Sequence, residues 1–165
     1  MNVGDSVAVV TPVDVQWRCL SFSALSVEAL YGLLRLRSRV FVVEQQCIFL
    51  DMDGIDAACL HLLGETVNAA GERKLVAATR LVPGGLAFEE ASIGRVVTAP
   101  EARGGGLGHA LMAESLQQLA AHWGDRPVRI GAQAHLEVFY NRHGFVSDNK
   151  PYIEDGIAHI EMIRR

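Results

Sequence analysis

The segment 93–123 constrains the fold of this chain more than any other. A β-rich run at 93–98 leads toward the string Arg103-Gly104-Gly105-Gly106-Leu107-Gly108, and a stretch with leucines at helical spacing follows at 107–123. Glycine has no Cβ and reaches backbone angles closed to other residues, so a run of glycines marks a tight turn. The pattern predicts a strand, a glycine-rich loop and a long helix in direct succession, with the helix ended by Gly124.

Hydrophobic periodicity predicts further elements on both sides of this segment. Ser26 is expected to cap a helix that ends near Phe41, and the stretch 44–56 is expected to form a loop. The predicted strands are 13–22, 58–64, 75–83, 93–98, 128–132, 145–146 and 157–163, and the other predicted helices are 107–123 and 136–143. This order predicts a single mixed α/β domain at 13–165, preceded by a loose tail at 1–12.

Composition limits the class of protein. The chain has 165 residues, 50% of them hydrophobic and 21% charged, which is typical of a soluble domain with its own core. A net charge of -4 lacks the basic excess that nucleic-acid binding requires, and no segment predicts secretion or membrane insertion. Cys19, Cys47 and Cys59 are sparse and form no C-x-x-C pair, so we expect a cytoplasmic protein without a metal site, with Cys47 and Cys59 as buried thiols.

The glycine loop has the chemistry of an anion site. The first turn of a helix leaves backbone N–H groups unpaired, and the helix dipole adds positive potential there. Arg103 adds a guanidinium suited to phosphate oxygens, so the loop predicts a diphosphate ligand. A P-loop is excluded because Gly108 is followed by His109-Ala110, and a Rossmann fingerprint is disfavoured because 128–132 offers no carboxylate. A glycine loop without a ligand is the remaining alternative.

Two motifs resemble those of the Gcn5-related N-acetyltransferases, the GNAT superfamily. Arg-x-x-Gly-x-Gly between a strand and a long helix resembles motif A of that family, and Phe139-Tyr140 followed by Gly144-Phe145 resembles its F-Y-x-x-x-G-F signature. Strings at 37–45, 131–134 and 154–160 are similar to the ElaA-type branch. The resemblance covers 27–165 and implies an α/β GNAT fold, a mixed and mostly antiparallel central sheet flanked by helices in a single domain.

The resemblance implies acetyl-coenzyme A as cosubstrate and no metal. In the family, the free edge of the fourth strand pairs with the pantetheine amides, which places Val96, Val97 and Thr98 at the cofactor; an N–H near Val97 would polarise the acetyl carbonyl. Gln133 stands where the family often has a cofactor-binding Asn, and its longer amide offers a similar hydrogen bond. The diphosphate is expected on the backbone of Arg103, Gly104, Gly105, Gly106, Leu107 and Gly108.

Tyr140 resembles the family's general acid, which gives a proton to the leaving thiolate. Packing against cofactor and core is the alternative role for its ring. The general base is less well defined, because 92–98 contains no carboxylate. We predict His159, which stands where the ElaA-type pattern has a histidine, with Glu44 and His61 as alternatives and a structural hydrogen bond as the competing role. Solvent-facing positions are expected for His109, His122 and His143.

The acidic loop leads to the functional hypothesis. Asp51, Asp53 and Asp56 resemble a calcium loop only superficially, since Leu62 stands at the twelfth position. They are expected either to line the acceptor side with Glu44 and favour a cationic amine, or to form a solvated loop. The hypothesis is an enzyme that acetylates a primary amine of a small molecule or peptide by direct attack on the thioester; the alternative is an acyl-CoA-binding sensor or structural module without turnover. The acceptor and the oligomeric state, with a homodimer among the options, stay open.

Overall fold

The computed structural model describes residues 10–165. Residues 1–9, and with them most of the expected tail at 1–12, lie outside the described part. Val10 packs against the main core, and Pro12–Asp14 forms a 3-10 turn. Val10, which lies within the expected tail, is therefore in contact with the core.

Two antiparallel sheets form the centre of the molecule. The strand order is β1-β2-β3-β4 in the first sheet and β5-β7-β6 in the second. Every residue of 76–82 is buried, because β3 is an inner strand covered on both faces. The strands are β1 (Gln16–Ser21), β2 (Leu60–Val67), β3 (Arg73–Val82), β4 (Ser92–Thr98), β5 (Val128–Gln133), β6 (Val146–Glu154) and β7 (Ile157–Arg164). The mixed α/β fold is confirmed, with its sheet in two parts.

The two sheets meet at the beginning of β4 and β5. Ala91 and Val128 form a single parallel bridge there, and the N–H of Arg129 donates to the carbonyl of Ala91 at 3.0 Å. In the described part of the chain, no hydrogen bond joins the two strands beyond this point, and each strand is the edge of its own sheet. The facing edges therefore separate toward their carboxyl ends and leave a cleft.

Helix α2 spans both sheets and unites the core. Leu107 and Leu111 lie in a hydrophobic cluster with α1 and the first sheet, whereas Met112 and Leu119 lie in a second cluster with β5 and β7. The helices are α1 (Val27–Arg37), α2 (Leu107–Trp123) and α3 (Glu137–Asn141). The predicted bounds of α2 are confirmed, because its apolar period is long and glycines flank it at both ends.

The first helix ends differently from the prediction. The Ser26 side chain caps α1 as expected by accepting a hydrogen bond from Ala29 N–H at 3.0 Å. The α-helix stops at Arg37, and the chain continues as a π-helical turn over Ser38–Glu44. The wider turn carries the chain past Phe41, the predicted end, toward the cleft. Such turns interrupt α-helices frequently at functional sites.

The strand predicted at 145–146 is longer in the structure. β6 runs through Val146–Glu154, although Ser147 to Lys150 are all polar. Its register with β7 shifts between Ser147 and Pro151, and Asn149 has φ +54°. The irregular register removes the alternation by which a strand is recognised. Within residues 10–165, no helix has the length and apolar character needed to cross a membrane.

Candidate active site

A cavity of about 390 Å³ lies in the cleft between β4 and β5. Four predicted site residues line it: Val96, Gln133, Tyr140 and His159. The other walls come from the segment after the π-helical turn and from the turn between β6 and β7. A larger cavity of about 860 Å³ lies beside the beginning of β5 and the end of α2, and none of the predicted site residues lines it. The candidate site is therefore the smaller cavity.

The glycine loop presents an uninterrupted set of backbone donors. In the described part of the chain, no N–H from Gly104 through His109 has a protein acceptor; the next one, of Ala110, donates to Gly106. Gly104 and Gly106 have φ of +98° and +83°, and a Cβ on either would point into open space. Leu107 is buried in the core, so only its backbone faces outward. The arrangement fits a nest for an anion at the start of α2.

The guanidinium of Arg103 is held by the protein itself. Its Nη1 and Nη2 donate to the two carboxylate oxygens of Glu44 at 2.6 and 3.3 Å. Nε and Nη2 also donate to the side chain and the carbonyl of Thr98. Glu44 and Thr98 thus occupy the N–H donors of Arg103 in this structure, and the contact of its guanidinium with phosphate oxygens stays a prediction. The pairing with Arg103 makes Glu44 a poor general base, since its carboxylate is engaged.

Strand β4 is bulged where it borders the cavity. Arg95 and Val96 stand opposite the single residue Thr79, because the register with β3 shifts between Ala78 and Arg80. Arg95 has φ +50°, which is uncommon for a residue with a side chain. Bulges of this kind redirect backbone groups and are frequent beside active sites. The free edge of β4 thus offers backbone polar groups to the cleft, while the side chain of Val97 is buried in the core.

Tyr140 reaches the cavity from α3. Its ring packs edge-to-face on Phe139 and Phe145, with centroids 5.1 and 6.1 Å away, and only 7% of the residue is exposed. The hydroxyl has no hydrogen-bond partner among the described residues, and the side chain lines the cavity. Burial raises the pKa of Tyr140 to about 12. The phenol is therefore protonated across the whole neutral range and available to donate.

His159 is fixed in one tautomer. Its Nδ1 lies 2.7 Å from the carbonyl of Ile157, and a carbonyl can only accept, so Nδ1 carries the proton. Nε2 of the neutral ring then holds a lone pair, and it lies 3.6 Å from Glu154 Oε2. The ring stacks on Tyr152 at 5.3 Å, and the Tyr152 hydroxyl fills the space that a side chain at Gly131 would need. The tautomer suits a proton acceptor at Nε2.

Three arginines and three aspartates form a closed ring of ion pairs beside the cavity. Each arginine bonds two aspartates and each aspartate bonds two arginines, at 2.7 to 3.3 Å. In order around the Arg–Asp ring, the members are Arg37, Asp51, Arg95, Asp53, Arg80 and Asp56. A hydrogen bond from Arg80 holds the pKa of Asp53 at about 2, so this carboxylate stays ionised. The charges cancel within the ring.

The Arg–Asp ring corrects both interpretations of the acidic loop for two of its three aspartates. Asp51 and Asp56 are 5% and 9% exposed, so they are not solvated, and their carboxylates are too fully paired to attract an amine, whereas Asp53 is exposed. Only Asp53 of the three lines the cavity. Sequence reasoning missed the ring because its partners lie up to 44 residues apart and come from α1, β3 and β4. A clue was that each of the three arginines stands next to an apolar residue of its helix or strand, Leu36, Leu81 or Val96.

The remaining histidines and cysteines lie partly where expected. His61 is 1% exposed, its Nε2 lies 2.9 Å from the Asp56 carbonyl, and burial lowers its pKa. It does not line the cavity and is therefore not placed to act as a base. His109 and His143 are half-buried and lie 2.9 Å apart, Nδ1 to Nε2, which corrects the expectation that they face solvent. Exposure is confirmed for His122, and burial for Cys47 and Cys59. Residues 10–165 contain no cluster of three or more metal-ligating side chains.

Comparison with known proteins agrees with this geometry. The sequence pattern of the family described as Acetyltransferase (GNAT) domain matches residues 62–165. Over 152 residues the chain is 43% identical to protein ElaA of Escherichia coli strain K12, covering 91% of this chain and 96% of ElaA. The crystal structure of E. coli ElaA superposes with a TM-score of 0.81 at 42% identity, covering 92% of this chain and 99% of that one. An acyl-CoA N-acyltransferase of Pseudomonas aeruginosa gives a TM-score of 0.81 at 41% identity, covering 91% and 99%. The chain belongs to the GNAT acetyltransferase family, in its ElaA-like branch.

Proposed function

We propose that this chain is an N-acetyltransferase that moves the acetyl group of acetyl-CoA to a primary amine of a small molecule or peptide. The proposal is carried by one observation: three features lie along the same cleft. These are the unpaired N–H groups of the glycine loop, the free edge of β4, and a cavity that contains both Tyr140 and His159. Each feature matches one requirement of the reaction: an anion site, a strand partner and a pair of proton-transfer groups.

Cofactor binding is assigned to backbone groups. N–H groups from Gly104 to Gly108 would receive the diphosphate, whose charge suits the start of a helix. The free edge of β4 at Val96 to Thr98 would pair with the pantetheine amides, as an added strand pairs with a sheet edge. Gln133, whose Nε2 donates to the side-chain oxygen of Gln45 at 3.3 Å, faces β4 across the cleft and would contact the same arm. The role of Arg103 is then to fix the loop through Glu44 and Thr98.

The chemistry requires two proton transfers. A bound acetyl-CoA supplies a thioester carbonyl as the electrophile. His159 Nε2 accepts a proton from the attacking amine nitrogen, which forms the new N–C bond as the C–S bond breaks. Tyr140 donates to the departing sulfur, so the products are the acetamide and free CoA thiol. A backbone N–H on the bulged edge near Val97 would stabilise the negative charge that develops on the carbonyl oxygen.

The high pKa of Tyr140 shapes its role. A thiol ordinarily has a pKa of about 8.5, so full transfer from a phenol at about 12 is uphill by roughly 3.5 units, or ~5 kcal/mol. The apolar surroundings that raise the pKa of Tyr140 also make a thiolate beside it more basic, which narrows that difference. Tyr140 therefore acts first as a hydrogen-bond donor to the developing thiolate and delivers its proton as the C–S bond breaks.

Replacing Gly106 tests the anion nest. Gly106 has φ +83°, a conformation that Asp and Asn tolerate better than other side chains. Gly106→Asp and Gly106→Asn have nearly the same shape, so their difference isolates the charge. Titration calorimetry should give the Asp variant at least about tenfold weaker affinity for acetyl-CoA than the Asn variant, or ~1.4 kcal/mol. Equal affinities in two folded variants would mean that the diphosphate lies elsewhere.

Replacing Tyr140 tests the transfer itself. Thiol release from acetyl-CoA, measured with a panel of primary amines, should be amine-dependent and should fall about 10²-fold or more in Tyr140→Phe, with nearly unchanged acetyl-CoA affinity. Because the pKa of Tyr140 is about 12, its ionisation should cause no loss of rate below about pH 10. Tyr31→Phe, which alters an exposed hydroxyl, is the matched control. Acetyl-CoA binding without thiol release would favour the acyl-CoA-binding module.

The pH dependence tests His159. Nε2 accepts a proton only when the ring is neutral, so the rate at saturating acetyl-CoA should rise with pH as the ring loses its proton. His159→Ala should remove this rise and lower the rate. His122→Ala is the control, because His122 makes the same Nδ1-to-carbonyl contact, with Gln118 at 2.9 Å, far from the cavity. Persistence of the rise in a His159→Ala variant with an unchanged melting temperature would assign the base elsewhere.

A further inference from the structure

We propose that the acceptor is an amphipathic primary amine. A single cationic nitrogen enters beside Glu154 and Asp155, and an apolar carbon chain lies on Phe49 and Leu50. This inference rests on the proposed function, because it names the substrate class of the same cavity.

Unbalanced negative charge lies on one wall of the cavity. Glu154 and Asp155 form the turn between β6 and β7 and line the cavity. Among the described residues, the only ion-pair partner of Glu154 is His159, at 3.6 Å and only when the ring is protonated, and Asp155 has no ion pair. The other ionic groups of the lining, Asp53 and Arg95, neutralise each other within the Arg–Asp ring. The turn therefore attracts an ammonium group and places it beside Nε2 of His159.

A second part of the lining, at Phe49 and Leu50, is apolar and is held in place by ion pairs. Leu50 lines the cavity although it is 75% exposed, and Phe49 lies beneath the guanidinium of Arg95 at 5.8 Å. The next residue, Asp51, is 5% exposed and bonded to both Arg37 and Arg95. Leu50 is thus fixed in contact with water by the ion pairs of its neighbour rather than by apolar packing. A fixed apolar wall beside a few polar groups is the usual composition of a small-molecule site.

These two walls distinguish three kinds of amine. An α-amino acid brings a carboxylate that Glu154 and Asp155 repel, and the one arginine of the described lining, Arg95, is already paired with Asp51 and Asp53. A diamine brings a second ammonium that gains nothing from the apolar surface of Phe49 and Leu50, whereas a hydrocarbon end is stabilised by covering that surface. A monoamine with a hydrocarbon chain has neither a carboxylate to be repelled by Glu154 and Asp155 nor a second ammonium beside Leu50.

The experiment compares probes of equal size. Hexylamine and 1,5-diaminopentane have the same number of heavy atoms and differ in one terminal methyl or ammonium group. We expect kcat/KM for hexylamine to be at least about tenfold higher than kcat/KM for 1,5-diaminopentane. Both values are first corrected for the fraction of free amine, and the value for the diamine is divided by its two reactive ends. Pentylamine should likewise exceed norleucine, which adds an α-carboxylate.

Substitutions at the cavity test which residues cause the preference for hexylamine. Leu50→Asn should lower the ratio of hexylamine to 1,5-diaminopentane at least about threefold by removing apolar surface. Ile48→Asn is the control, because Ile48 lies on the same loop, is 99% exposed and does not line the cavity. Asp155→Asn, which suits the φ of +49° at that position, should raise KM for hexylamine with little change in kcat.

The outcomes separate the substrate class from the transfer. Equal use of hexylamine and 1,5-diaminopentane, or a preference that Leu50→Asn leaves unchanged, would overturn the amphipathic acceptor while the transferase stands. If no amine is acetylated, calorimetry on the CoA-saturated protein decides. If hexylamine binds more tightly than 1,5-diaminopentane and Leu50→Asn weakens its binding, the amine site is supported and turnover is rejected. If the two amines bind equally or not at all, the proposed amine site is overturned.

Discussion

The separation of β4 from β5 is the constraint on which the site depends. A single bridge at Ala91 and Val128 joins the strands, and beyond it both edges lack a neighbour within the described residues. Unpaired edge groups are ordinarily a liability in a protein. Here the edges face each other across a cleft, with α2 packed against both sheets to hold them at a fixed separation. The cleft can therefore accept an extended ligand as an added strand without any rearrangement of the core.

The Arg–Asp ring holds the part of the cavity that includes Phe49 and Leu50, where ion pairs take the place of a hydrophobic core. Burying charges is costly, and a buried pair contributes to stability only when every charge is well bonded. Each ring member has two partners of opposite sign, so loss of one, such as Arg37, would leave two aspartates short of a partner at a cost of about 3–5 kcal/mol. The ring lets a short loop carry exposed apolar side chains such as Leu50 at a defined place. The shape of this part of the cavity thus depends on electrostatics, whereas the cleft between β4 and β5 is shaped by the backbone pairing within each sheet.

The sequence predicted features that depend on neighbouring residues better than it predicted ion pairs between residues far apart in the chain. The glycine loop and the bounds of α2 were predictable, because caps and periodicity act over a few residues. The family followed from the Phe139-Tyr140 motif and the loop together. The Arg–Asp ring and the pairing of Arg103 with Glu44 were not predictable, because they join residues 14 to 59 positions apart. β6 was underestimated because its bulged register hides the strand period.

The central claim is that cofactor and amine occupy the cleft together and that acetyl passes directly between them. Initial velocities measured over a grid of acetyl-CoA and acceptor amine concentrations test this most directly. The account predicts reciprocal plots that intersect, because both substrates must be bound before transfer. Parallel lines, with acetyl found on the protein, would contradict it and would direct attention to Cys47, whose thiol lies in the cavity and donates to the Asp155 carbonyl at 3.4 Å.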